Sequence, residues 1–228
     1  MLEVKIFTLY PDFFPGPLDI GIFKKARENK IWNLKVINIR DYSKNKHGAV
    51  DDTPFGGGNG MLLRPDILAT ALDKNLKKGE KIIYLSPKGK KFDQNVARSL
   101  SKEKNLNLIC GHFEGVDQRL LETRNIEEYS LGDFILSGGE PASFVFVDAI
   151  IRLLPGVLGN KDSVKEESFE NHLLEYPQYT KPREWEGKNP PEVLFSGDHA
   201  KIKGWRLSQS EAITRRQRPD LWKKYLEK

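Results

Sequence analysis

The stretch SLGDFILSGGE, residues 130–140, is rich in glycine and leads directly into the apolar run EPASFVFVDAIIRLL at 140–154. A helix over 140–154 would have almost no polar face, so it must be buried, either in the core of its own domain or between subunits. The sequence leaves both alternatives open. Glycines in front of such a helix let the backbone pass close to a ligand or adopt a positive φ. The stretch therefore predicts a buried helix that begins at a glycine-rich turn.

Toward the N-terminus, strand-length apolar runs alternate with helical patterns. The predicted strands are residues 4–9, 34–39, 81–85 and 106–110, and the predicted helices are 18–30, 65–76 and 93–102. Such alternation is typical of an α/β fold, in which a mainly parallel sheet carries helices on both faces.

The composition changes after the apolar helix. Pro155 and Gly156 end it, and residues 159–172 are polar and weakly periodic, which is linker composition. Helical patterns return from about Ser208. We therefore predict a main domain over 1–158, a linker over 159–172 and a small, mainly helical C-terminal domain over 173–228.

Composition excludes several classes of protein. The chain has 228 residues, 38% of them hydrophobic, which is enough for a sizeable core. Its one cysteine, Cys110, excludes a disulfide framework and a zinc site built on several cysteines, and it fits a reducing cytoplasm. Apolar runs fall short of the roughly 20 residues that span a bilayer, so we expect no membrane partner. The N-terminus also lacks the features of a signal peptide.

Charge is distributed unevenly along the chain. Residues 201–228 hold nine Lys and Arg against three Asp and Glu, a net of +6, whereas residues 111–170 hold five against twelve, a net of −7. A basic tail on a chain of net charge +5 suggests an anionic partner such as nucleic acid. The alternative is a basic terminal helix that serves only solubility.

Three turns lie where predicted strands end or the apolar helix begins: residues 85–89, 110–117 and 130–140. Ligands of parallel sheets bind at the carboxyl ends of strands. None of these turns matches the dinucleotide-binding fingerprint or the P-loop. A fourth glycine-rich stretch, DDTPFGGGNGM at 51–61, lies in a loop long enough to suggest a function, and we expect a mobile lid that orders around a substrate.

Together these segments resemble the bacterial tRNA (guanine-N1-)-methyltransferase family, the TrmD type, of the SPOUT superfamily. The matching segments occur in family order and cover nearly the whole chain: residues 51–61, 84–87, 110–117, 130–140, 155–159 and 196–199. The resemblance implies a SPOUT-type sheet with a deep trefoil knot, a homodimer, and S-adenosylmethionine bound in the knot. It also implies that the tRNA is held partly by the C-terminal domain and is methylated on N1 of guanine 37, next to the 3′ side of the anticodon.

The resemblance assigns two catalytic residues. Guanine N1 carries a proton at neutral pH, so its methylation needs a general base, a role worth about 10²–10⁴-fold. Glu167 stands where the family has an aspartate, and it keeps the carboxylate on a chain one methylene longer. Arg152 would stabilise the negative charge that develops on the guanine. Without the resemblance, both side chains are explained as solvated charges, Arg152 at a helix end.

The remaining site residues are also implied by the resemblance. The cofactor would be bound by Leu85, Ser86, Pro87, Gly111, Phe113, Glu114, Ser130, Leu131, Gly132, Phe134, Leu136, Gly138 and Gly139. Glu114 could also help to hold Mg²⁺, which the resemblance suggests as a second cofactor. The RNA would be bound by Asp51, Gly60, Ser168, Arg215, Arg216 and Arg218. Two rival functions stay open: another RNA methyltransferase on the same scaffold, and an RNA-binding protein without activity.

Overall fold

The computed structural model describes residues 1–44, 48–159 and 167–227. The chain divides into two compact units, Met1–Gly159 and Asn160–Lys228. Half of the predicted linker, residues 160–166, lies outside the described residues. Within the described ranges, no helix combines the length and the apolar character that crossing a membrane requires.

The first unit is built on a parallel sheet. The strands are β1 (Leu2–Thr8), β2 (Trp32–Asn38), β3 (Asp51–Asp52), β4 (Leu62–Leu63), β5 (Ile82–Lys91), β6 (Asn105–Ile109) and β7 (Glu127–Ser130). Five of them form one sheet in the order β2-β1-β6-β5-β7, and every neighbouring pair is parallel. The short β3 and β4 pair antiparallel with each other. The predicted α/β class is confirmed, and the trefoil knot stays a prediction.

Helices cover both faces of this sheet. The helices of the chain are α1 (Gly21–Glu28), α2 (Pro65–Asn75), α3 (Gln94–Leu100), α4 (Gln118–Thr123), α5 (Gly139–Ile151), α6 (His199–Gln217) and α7 (Pro219–Leu226). Neighbouring side chains of a strand point to opposite faces. Ile6 of β1 accordingly packs in one apolar cluster with Phe146 of α5, while Phe7 packs in a second cluster with Leu68 of α2. The sheet thus has a core on each side.

The apolar helix α5 is mostly a core helix of its own unit. Phe146, Val147, Ile150 and Ile151 are fully buried, because they pack on the sheet within one chain. Val145 is 59% exposed and lies on the side that the unit leaves open. Burial inside the unit therefore accounts for most of the apolar character, and a subunit contact could cover the open side.

The third predicted strand is longer than expected. β5 does not end at Leu85; both Leu85 and Lys90 pair with Tyr129 of β7, and residues 86–89 bulge out of the ladder between them. The prediction of a turn after 85 was wrong because β7 offers a partner on the far side of the bulge. β7 itself was missed, since its first two residues are glutamates and do not look like a buried strand.

Two helix starts also differ from the prediction. The segment predicted as one helix over 18–30 begins with a 3-10 turn at Gly16–Asp19, and α1 starts only at Gly21 after an extended residue. α6 starts at His199 and not near Ser208. The side chain of Asp198 accepts hydrogen bonds from the backbone N–H groups of Ala200 and Lys201, and such a cap stabilises a helix start whose own side chains are polar.

The second unit has a small core of its own around α6. Thr214 is fully buried; its hydroxyl donates to the carbonyl of Ser210 at 2.6 Å and accepts from the backbone N–H of Leu174 at 2.8 Å. Leu173 and Leu221 are buried in the same unit. The extended segment before α6 is therefore tied to the helix by both hydrogen bonding and apolar packing.

Candidate functional site

A cavity of about 390 Å³ opens at the bulge of β5 and at the segments that follow β6 and β7. All thirteen residues predicted to bind the cofactor line it: Leu85, Ser86, Pro87, Gly111, Phe113, Glu114, Ser130, Leu131, Gly132, Phe134, Leu136, Gly138 and Gly139. The three predicted turns therefore meet at one place in the fold. This is the position at which parallel α/β sheets bind ligands.

The cavity has further lining residues that were not predicted. They are Tyr84, Lys88, His112, Gly115, Val116, Gln118, Leu121, Glu128, Tyr129, Ile135, Ser137 and Ala142. Some of them, such as His112, lie inside the quoted motifs and could have been named from their position alone. Glu128 and Tyr129 belong to β7, so they could be found only once that strand was known.

Gly139 sets how closely two walls of the cavity approach. Its backbone N–H donates to the carbonyl of Gly111 at 2.9 Å. A Cβ atom on Gly139 would lie 2.6 Å from the Cα of Cys110, which is backbone and cannot rotate away. Only glycine fits at this contact. The start of α5 and the turn after β6 are thus joined backbone to backbone.

A buried carboxylate reinforces the same junction. Glu140 is 1% exposed; Thr8 Oγ1 donates to its Oε1 at 2.5 Å, and His112 Nε2 lies 2.5 Å from its Oε2. A buried carboxylate is tolerated when its oxygens have hydrogen-bond partners. Glu140 therefore links the end of β1, the turn after β6 and the start of α5.

The glycine-rich stretch is attached to the cavity at its base. The backbone N–H of Glu114 donates to the carbonyl of Met61 at 2.9 Å, and that of Leu63 donates to Gly115 at 2.9 Å. Gly60 packs so closely that a Cβ there would lie 2.5 Å from Oε1 of Glu114. Asp51 of β3 pairs with Leu63 of β4, and the only other pair of this hairpin, Asp52 with Leu62, lies nearer to the loop that joins the two strands. The predicted RNA-binding residues of this stretch therefore lie beside the cofactor turn that contains Glu114.

Arg152 lies far from the cavity within one chain. It follows the last residue of α5, whereas Gly139, at the other end of the helix, lines the cavity. At 1.5 Å per residue the two positions are separated by about 20 Å. Arg152 instead lies near Asp148; burial raises the pKa of that carboxyl, and the charge of Arg152 opposes the rise.

The remaining predicted residues lie in the second unit. Glu167 and Ser168 are half-buried at its first described residues, and the Ser168 hydroxyl accepts from the backbone N–H of Glu175 at 3.0 Å. Arg215 and Arg216 are exposed in the last turn of α6. Arg218 makes two hydrogen bonds to Asp220, at 2.8 and 2.7 Å, which lower the pKa of that carboxyl to about 2. The charge of Arg218 is thus already paired.

Two groups at or next to the cavity are held in their protonated forms. Burial raises the pKa of the thiol of Cys110, which precedes the lining residue Gly111, so this side chain is no thiolate nucleophile. Burial and the nearby Glu128 carboxylate raise the pKa of Tyr84 to about 12, so its hydroxyl stays protonated. In the part of the chain that the structure describes, no three His, Cys, Asp or Glu side chains lie together as a metal site would need.

Comparison with known proteins gives consistent results. The family model for tRNA (guanine-1)-methyltransferase TrmD matches residues 2–224. A curated tRNA (guanine-N(1)-)-methyltransferase of Pelagibacter ubique is 70% identical over 225 residues, which cover 99% of each chain. The protein of the same name from Wolbachia pipientis is 52% identical, over 96% of this chain and 94% of its own. That from Brucella canis is 50% identical, over 98% of this chain and 91% of its own. The chain belongs to the tRNA (guanine-1)-methyltransferase family.

Proposed function

We propose that this protein transfers the methyl group of S-adenosylmethionine to N1 of guanine 37 of tRNA, in the cytoplasm. Besides membership of the family, one observation carries the proposal: a single cavity is lined by all thirteen residues that the resemblance assigns to cofactor binding. Five glycines line it, among them Gly111, Gly138 and Gly139. At these positions no side chain covers the backbone, so a ligand can approach its peptide groups closely.

The reaction divides the work between cofactor and protein. S-adenosylmethionine, when bound, supplies a methyl group on a positively charged sulfur. Glu167 removes the N1 proton of the guanine, and the Arg152 guanidinium stabilises the negative charge that spreads to O6. The longer side chain of Glu167 requires the guanine to sit slightly farther from the backbone than an aspartate would.

Arg152 can act in this reaction only if the protein is a dimer. In one chain it lies about 20 Å from Gly139, at the opposite end of α5. In a twofold dimer, the same patch of both subunits is in contact, so the end of one α5 can approach the partner's cavity. The half-exposed Val145 on the same helix supports an apolar contact there. We therefore infer a homodimer in which each site uses residues of both subunits.

Mg²⁺ at Glu114 stays a prediction. Mg²⁺ prefers octahedral oxygen coordination, and the described residues around Glu114 do not form a cluster of protein ligands. Glu114 alone does not fit a resident metal held by the protein. No step of the proposed reaction depends on it.

The function is tested by methyl transfer from labelled S-adenosylmethionine to tRNA transcripts. We expect label in a transcript with guanine at position 37 and none when adenine replaces it, since the proposed base serves N1 of guanine. Equal labelling of both transcripts would favour another RNA methyltransferase activity. Failure to bind S-adenosylmethionine in calorimetry would favour an RNA-binding protein without activity.

Gly139→Ala should abolish binding of S-adenosylmethionine, because the added Cβ would meet the backbone of Cys110 at 2.6 Å and push the cavity walls apart. Gly159→Ala is the matched control, since a Cβ there has nothing within 4 Å. Calorimetry measures both affinities. An unchanged affinity in Gly139→Ala, with Gly159→Ala also unchanged, would contradict the assigned cavity.

Glu167→Gln and Arg152→Ala should each lower the rate of methyl transfer by about 10²-fold or more, while the affinity for S-adenosylmethionine stays close to normal. Glu167→Asp, which restores the length found in the family, should keep substantial activity. Single-turnover kinetics measure the rates. If both Gln and Ala variants retain more than about a tenth of the normal rate, the roles are wrong.

Mixed dimers, assayed by the same kinetics, test whether each site uses residues of both subunits. Chains carrying Gly139→Ala and chains carrying Arg152→Ala are inactive alone, but a mixed dimer contains one site with both residues intact. Random pairing should restore about a quarter of the normal activity, because half of the dimers are mixed and each has one good site. No restoration, with mixed dimers present by mass, would contradict the shared site.

Arg215→Ala and Arg216→Ala should each weaken tRNA binding and flatten its dependence on salt, since an exposed cation that contacts a phosphate releases about one counterion. Arg218→Ala should have the smallest effect of the three, because Asp220 already pairs with that guanidinium. Arg183→Ala is the matched control, since Arg183 pairs with Glu192 in the same unit and has no predicted RNA contact. Affinities at several salt concentrations give the slopes. If the affinity of all three variants depends on salt as steeply as that of the unchanged protein, these arginines are surface charges that contact no phosphate.

A further inference from the structure

Phe55 lies in the glycine-rich stretch and is 94% exposed, more than any other large apolar side chain in the described part of the chain. It is followed by Gly56, Gly57 and Gly58, all with positive φ and with open space around them. An aromatic ring that stays exposed to water forgoes the free energy that burial of its apolar area would provide. The position is therefore unexplained by the fold of the chain itself.

Among the described residues, the ring of Phe55 is approached by a cation. The guanidinium carbon of Arg119 lies 6.0 Å from the centre of the ring. Arg119 is held in a fixed plane by Asp117, with Nε–Oδ1 at 3.0 Å and Nη2–Oδ2 at 2.7 Å. At this distance Arg119 covers little of the ring, so most of the aromatic surface is open to a further planar partner.

The ring lies beside the cavity but outside it. The glycine-rich stretch is anchored at Met61, whose carbonyl accepts from Glu114, and Glu114 lines the cavity. Gln118, next to Arg119 in the chain, also lines the cavity, whereas Phe55 and Arg119 do not. An aromatic ring and a planar cation thus border the site that receives the reacting base.

A base that reacts inside a cavity must leave the stack of its RNA loop. Its neighbours then lose a stacking partner, and proteins replace such partners with aromatic rings and arginine planes. We propose that Phe55, with Arg119 beside it, stacks on the nucleobase next to the target guanine in the anticodon loop. This inference rests on the proposed function and adds a residue that binds the substrate outside the reacting centre. Stacking depends on the flat ring and tolerates every base, so Phe55 would contribute affinity without reading sequence.

The test compares side chains of similar size with and without an aromatic ring. Phe55→Leu should lower kcat/KM for tRNA about 5- to 150-fold, the range expected for one stacked base. Phe55→Trp should restore it, because indole also stacks. Arg119→Lys keeps the charge and removes the plane, so we expect a smaller loss. Phe13→Leu is the matched control at a half-exposed ring elsewhere in the first unit.

A fluorescent base reports the contact without relying on methyl transfer. Anticodon stem-loops carry 2-aminopurine on either the 5′ or the 3′ side of the target guanine, and stacking quenches its fluorescence. The unchanged protein should quench one of the two probes and Phe55→Leu neither. Affinity for S-adenosylmethionine and the dimer mass should be the same in all variants, because the ring is exposed and outside the cavity.

The outcomes separate the two proposals. Normal kcat/KM and normal quenching in Phe55→Leu would overturn the stacking role while leaving the methyl transfer intact. Quenching by the unchanged protein without methyl transfer would support stacking and overturn the proposed function. A lower dimer mass in Phe55→Leu would overturn the stacking role and assign the ring to a contact between subunits.

Discussion

The close contact of two backbones at Gly139 is the constraint on which the rest of the site depends. The N–H of Gly139 reaches the carbonyl of Gly111, and no side chain fits between that glycine and Cys110. Glu140, the next residue, then meets Thr8 and His112 in the interior. Because these contacts hold the start of α5 against the end of β6, the segments that follow β6 and β7 surround one cavity together with the bulge of β5. A side chain at 139 would separate the walls and leave three unrelated turns.

The periodicity of the sequence was sufficient to predict four strands of the sheet, but not the edge strand β7. Strands such as β1 and β6 contain apolar residues that are buried on both faces of the sheet, and the resulting short apolar runs made these strands easy to predict. β7 lies at the edge, begins with two glutamates and pairs across a bulge in β5, so its place depends on a partner that local sequence does not reveal. The start of α6 likewise depends on the single capping side chain of Asp198.

The candidate site was predictable for a different reason. Its residues lie in the glycine-containing motifs that carry the family resemblance, and all thirteen that the resemblance implied for the cofactor line the cavity, beside twelve others. What the motifs could not reveal are the pairings between side chains. Glu140 reaching His112 and Arg218 captured by Asp220 depend on where side chains point after folding. The separation of Arg152 from the cavity is also a consequence of α5 being a straight, unbroken helix.

Backbone binding and side-chain chemistry are therefore divided in this protein. In the proposed reaction the cofactor is held mostly by peptide groups, which any residue can offer, provided the backbones come close enough at Gly139. The groups proposed to react, Glu167 and Arg152, come instead from the second unit and from the far end of α5. Neither lines the cavity, so the proposal assigns cofactor binding and the chemistry on the guanine to different residues.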